Sequence, residues 1–174
     1  MSIGIFVSAR NHFEGQQGGV QVCTREYVQV IEAANIRLKP ALLDPDRRLS
    51  TRVLRKINSS KYFRPASPQS IDNLCRLVKE HRSDFIFLNQ VALAELAPRL
   101  RLIAPIHCKI VVLSHGLEST DLLHHIRLRD HLPLTGSTRP TAAITLGGVL
   151  VAESKLREHV DLVCALSPFD VELE

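Results

Sequence analysis

The hydrophobic positions of this chain fall into short unbroken runs separated by longer amphipathic stretches. Ser2-Ile3-Gly4-Ile5-Phe6-Val7 is apolar without alternation and predicts a buried strand at the start of the chain. A loop of small and polar residues, Ser8 to Gly19, follows. From Val20 the positions Cys23, Tyr27, Val30, Ile31 and Ala34 recur at helical spacing, opposite Arg25, Glu26, Gln29 and Glu32. Leu38 to Leu43 is a second strand in which Pro40 demands an edge or terminal place, and Asp44-Pro45-Asp46 is a turn. Leu49, Val53 and Ile57 mark a helix whose other face is basic.

The same alternation continues to the end. Ser67-Pro68 predicts a cap and first position for a helix that carries Ile71, Leu74, Cys75 and Val78 and ends near His81. Strands are predicted at Asp84 to Asn89, Lys109 to Ser114 and Asp161 to Leu166. Between them lie a helix from Val91 to Leu102 broken at Pro98 and one capped by Ser119. A loop from Leu132 to Pro140 leads to a helix from Thr141 to Val160, with Gly147-Gly148 as a close-packing point or kink. Apolar strands that alternate with helices predict an α/β domain, a Rossmann-like three-layer sandwich with a mostly parallel central sheet. Ligands of such sheets bind beyond the carboxyl ends of the strands.

That rule selects the candidate chemistry. Gly15-Gln16-Gln17-Gly18-Gly19 follows the first strand and opens a helix, whose free N–H groups and positive dipole end suit an anion or a strongly polar group. Asn89-Gln90 follow the middle strand, and His115-Gly116 follow the most apolar one. His115 is the residue whose imidazole can hydrogen-bond a hydroxyl near neutral pH, although a histidine there also serves as a structural partner. Asp44 ends the second strand where a ribose-binding acid would sit in a nicotinamide-binding domain, but the glycines lack the tight G-x-G-x-x-G spacing. His124 and His125 do not make a metal site with Asp121 and His115, because neighbours on a helix point about 100° apart. Metal ligands are therefore not expected.

Composition narrows the setting. With 174 residues, 45% hydrophobic and 23% charged, the chain can bury a core without metal or disulfide help. Cys23, Cys75, Cys108 and Cys164 are far apart and lie in apolar patterns, as in a reduced, cytoplasmic protein. No apolar run reaches the roughly 18 residues of a membrane span. A net charge of +4 favours anionic partners. Arg47, Arg48, Arg52, Arg55, Lys56, Lys61 and Arg64 are either a solvated face or a footprint for an anionic surface such as the inner membrane leaflet, where the protein would be peripheral. Nucleic acid is not expected as a partner, since aromatics make up 5% of the chain and do not interleave with the basic residues.

The ordered set of these segments resembles a known family. The N-terminal strand, Gly18-Gly19-Val20-Gln21 before a long helix, Phe87-Leu88-Asn89-Gln90, the run from Ile110 to Gly116 and the run from Asp161 to Ser167 are similar to the N-terminal domain of GT-B glycosyltransferases, chiefly the retaining family 4-like group. The resemblance implies that residues 1–172 are the mainly acceptor-binding half of an enzyme that moves a sugar from a nucleotide-sugar donor to an acceptor hydroxyl, with retention of configuration. It implies donor contacts at Gly18, Gly19 and Gly116, a catalytic place for His115 near the reacting carbon, and acceptor contacts at Gln16, Asn89 and Gln90. Ser167 would end the last strand before the domains join. No cofactor is implied in this chain. The donor-binding C-terminal domain would be a separate, absent partner, so the chain by itself is expected to be inactive. Leu173-Glu174 resemble vector-derived residues. A non-catalytic α/β module that holds an anionic ligand is the competing expectation.

Overall fold

The computed structural model of the protein describes residues 2–15, 18–48, 66–116, 118–128, 139–156 and 158–165. Five strands, β1 (Ser2–Ala9), β2 (Ile36–Leu43), β3 (Phe85–Asn89), β4 (Lys109–Leu113) and β5 (Leu162–Cys164), form one sheet in the order β2-β1-β3-β4-β5. Every pairing is parallel. Pro40 stands in β2, an edge strand that pairs with β1 alone, where a missing N–H can face away from the sheet.

The helices are α1 (Arg10–Phe13), α2 (Gly19–Ala33), α3 (Pro68–His81), α4 (Ala97–Ile103), α5 (Glu118–Leu128) and α6 (Arg139–Leu156), with a 3-10 helix over Val91–Leu96. Side chains alternate across the sheet and make two cores. Ile5, Val7, Ile86, Leu88, Ile110 and Val112 face Leu74 and Val78 of α3 and Ala97 and Leu100 of α4. Phe6, Phe87, Val111 and Leu113 face Ile31 and Tyr27 of α2. Burial on both faces explains why the strands read as continuous apolar runs.

Several local expectations need correction. The loop after β1 contains the single turn α1, whose Phe13 packs on Phe6 with ring centroids 5.9 Å apart. The buried face of α2 is rotated from the apolar reading: Val30 is 68% exposed and Thr24 is 1% exposed. Thr24 goes inside because its hydroxyl has hydrogen-bond partners there. Ser119 does not cap α5; it lies within the first turn, and its backbone N–H donates to Glu153 Oε1 at 3.0 Å. Arg139 and Pro140 already belong to α6, so that helix starts before Thr141. Gly147 is not a close-packing point, since a Cβ there would meet nothing within 4 Å.

Other expectations hold. The Ser67 side chain accepts from the Ser70 N–H and Pro68 opens α3, which ends at His81. The helical stretch after β3 does break, at the junction of the 3-10 helix and α4, with Pro98 in the first turn of α4 where no N–H is needed. The expected basic helix, with Arg52, Arg55 and Lys56, lies outside the described residues, as do Gln16, Ser167 and Leu173-Glu174.

Candidate functional site

In this strand order the chain leaves β1 toward β2 on one side and returns to β3 on the other, so the switch point lies between β1 and β3. Because all strands are parallel, Ala9, Asn89, Leu113 and Cys164 end at the same edge. Two of the sequence-predicted residues, Asn89 and His115, meet there through one hydrogen-bond network that reaches the first turn of α2.

Asn89 is its centre and is fully buried. Its Nδ2 donates to Ser8 Oγ at the end of β1 and to Thr24 Oγ1 in α2, each at 2.9 Å. Thr24 Oγ1 donates to the Val20 carbonyl at 2.7 Å, which ties the network to the first turn of α2. On its other side Asn89 Oδ1 lies 2.7 Å from His115 Nε2. Tyr27 closes the group from α2: its hydroxyl reaches the Ser114 carbonyl at 2.6 Å and the Cys164 carbonyl at 3.2 Å, and its ring meets the His115 imidazole edge-on with centroids 5.5 Å apart.

His115 is held neutral. Burial, and secondarily the nearby His12, push its pKa down to about 4. Its Nδ1 is enclosed and has no hydrogen-bond partner among the described residues. The ring therefore contributes a hydrogen-bonding dipole to the crevice and carries no charge at neutral pH.

The start of α2 has glycine at its cap. Gly18 holds that position with φ 123° and ψ 155° and has no side chain to bond the first turn, in which no acidic residue lies. Gly116 has φ 114°. Both values are those of glycine. Gly18 and Gly19 are exposed, so the positive dipole end of α2 faces solvent.

Gln90 adds an unexpected feature. Its φ of 108° and ψ of 148° lie in a region that only glycine occupies without strain. The backbone is held there by its N–H, which donates to Leu88 and Leu113 carbonyls at 3.1 Å each. Gln90→Gly is expected to raise the unfolding free energy by about 1 kcal/mol, the relieved strain less the added chain entropy of glycine. Urea denaturation measures this; a destabilised variant would mean that the Gln90 side chain supplies contacts worth more than the strain.

Other predicted residues are placed differently. Asn89 has both amide groups committed within the protein, so its role is to hold its neighbours. Asp44 faces Arg10, with Nε–Oδ1 at 2.8 Å and Nη2–Oδ2 at 3.1 Å, and the Arg10 hydrogen bonds keep its carboxyl below the usual range. That pairing leaves little reason for Asp44 to bind a ribose. Arg48 is clamped by the buried Asp46 side chain, with Nη2–Oδ2 at 2.7 Å. His124 is exposed, and no group of three or more metal-ligating side chains occurs among the described residues. A cleft of about 290 Å³ beside β2 and α3, lined by Arg10, Ser70, Asn73 and Arg76 among others, contains none of the predicted site residues.

Sequence reasoning missed Ser8 and Thr24 and read Tyr27 only as an apolar position. The polar residue that directly ends the apolar run of β1 was the available signal for Ser8. Thr24, one turn after Val20, had no distinguishing local signal.

The fold and this edge define a parallel α/β domain with a polar network at its switch point. No protein-family model matches the chain, and no curated protein matches it. Among the described residues no helix is long and apolar enough to cross a membrane.

Proposed function

We propose that this chain is the N-terminal, mainly acceptor-binding half of a GT-B glycosyltransferase that transfers a sugar from a nucleotide-sugar donor to an acceptor hydroxyl with retention. The observation that carries this reading is the meeting, at one switch point, of a helix start with glycine at its cap and a neutral histidine held by Asn89. Transfer of a glycosyl group needs the growing charge of the leaving diphosphate stabilised. Backbone N–H groups at Gly18 and Gly19 can do that without a metal. A neutral imidazole nearby suits a sugar, which offers hydroxyls. In this reading the donor is gripped mostly by a second domain, and residues 1–172 alone turn over no donor. Arg52, Arg55 and Lys56 would then be available for peripheral contact with the inner membrane face, on the side of a cytoplasmic enzyme, whereas Arg48 is engaged by Asp46.

A donor screen on the gene product in its full length tests the proposal. Transfer or slow hydrolysis of one nucleotide-sugar is expected, with kcat/KM at least about tenfold lower in His115→Ala, the scale of one lost hydrogen bond to a reacting ligand. Inertness toward every donor overturns the enzyme reading, and undiminished turnover in the variant removes His115 from the site.

A further inference from the structure

We infer that Asn89 is a positioning residue that fixes the proton of His115 on Nε2 and leaves Nδ1 as the bare acceptor of the ring. The argument is a count of protons. Thr24 gives its single hydroxyl proton to the Val20 carbonyl at 2.7 Å, and Ser8 gives its own to the Ala9 carbonyl at 3.1 Å. Both oxygens can then offer only lone pairs to Asn89. The Asn89 atom that lies 2.9 Å from each must carry two protons and is the amide nitrogen. The carbonyl oxygen is left to face His115 Nε2 at 2.7 Å, and only a protonated Nε2 bonds an oxygen there. A neutral ring has one N–H, so Nδ1 is the bare acceptor.

The reverse amide orientation would set a carbonyl oxygen against two hydroxyls whose protons are already used. Losing those bonds favours the observed orientation by roughly tenfold or more. Nδ1 is enclosed and has no hydrogen-bond partner among the described residues. The tautomer does not rest on the sugar-binding reading above.

Long-range proton–nitrogen NMR of the imidazoles, on ligand-free protein at neutral pH, reads the tautomer directly. His115 is expected as Nε2–H. Ser8→Ala or Thr24→Val alone leaves one acceptor for the amide and should retain that tautomer. The double variant removes both, and although neither residue touches His115, a mixture with Nδ1–H is expected. Nδ1–H in the parent protein, or in either single variant, overturns the lock; so does an unchanged tautomer in a folded double variant. Because the tautomer is read without ligand, it stands or falls independently of whether the full-length protein transfers sugar.

Discussion

Replacing Asn89 by leucine, a side chain of similar size, is expected to lower the unfolding free energy by about 4 kcal/mol. Asn89 is completely buried and bonds three partners, from β1, α2 and the end of β4. Leucine leaves Ser8, Thr24 and His115 each short of a bond inside the protein, at about 1–3 kcal/mol apiece and less than additively, since the three can shift together. The apolar surface gained offsets part of this. Urea denaturation monitored by circular dichroism reads the loss. A change under about 1 kcal/mol would mean that water reaches the network and replaces the amide, which would also weaken the tautomer assignment.

The importance of that residue was only half visible in the chain. Asn89 stood out by its place at the end of an apolar strand, and the place suggested a contact with ligand. Its actual partners lie 26, 65 and 81 residues away in sequence, and no periodicity reports such pairings. The sheet was far more legible, because burial on both faces leaves continuous apolar runs such as Ile110 to Leu113. Pro40 and Ser67 were legible for another reason, since each acts on its own backbone neighbours. Thr24 and Val30 show the limit. The apolar spacing places Val30 inside and leaves Thr24 unassigned, whereas Thr24 is buried with two hydrogen bonds on its hydroxyl and Val30 is exposed. Gln90 was read from its polarity, and its strained backbone has no signature in residue type at all.

Carboxylates close the amino edge of the sheet. At the amino edge, Asp84 Oδ2 accepts from the Ile3 N–H at 2.9 Å and Asp161 Oδ2 from the Ile110 N–H at 2.8 Å. Burial works to raise the Asp161 pKa, but Arg101, the Ile110 N–H and Lys109 outweigh it and hold the carboxyl below its usual range. Carboxylates there close the starts of β1 and β4. At the carboxyl edge Arg10 pairs with Asp44 and Glu14, while the network around Asn89 is built from amide, hydroxyl, imidazole and backbone groups. Dipoles fixed by buried partners need no reorganisation when charge appears on a ligand, which is the property a group-transfer site requires.

Acidification should expose the cost of keeping His115 neutral. Its pKa, near 6.5 in the unfolded chain, is pushed down to about 4 by burial and then by His12. The unfolded state therefore takes up the proton first. Stability is complete above pH 6.5, falls as pH drops through the window from 6.5 to 4, and loses nothing more from this group below it. The full shift corresponds to about 3 kcal/mol, and about 2 kcal/mol is expected once the partial solvent access of the ring is allowed for. Glutamine at position 115 can still donate to Asn89 Oδ1 but does not titrate. The difference in unfolding free energy between the parent protein and His115→Gln, measured by urea denaturation at steps from pH 7.5 to 4, isolates the effect from the carboxylates that titrate in both. A difference that shrinks or changes sign by about 2 kcal/mol on acidification matches a buried neutral imidazole. A constant difference would place the ring in water with an ordinary pKa, and the crevice would then offer a ligand a cation in mildly acid solution.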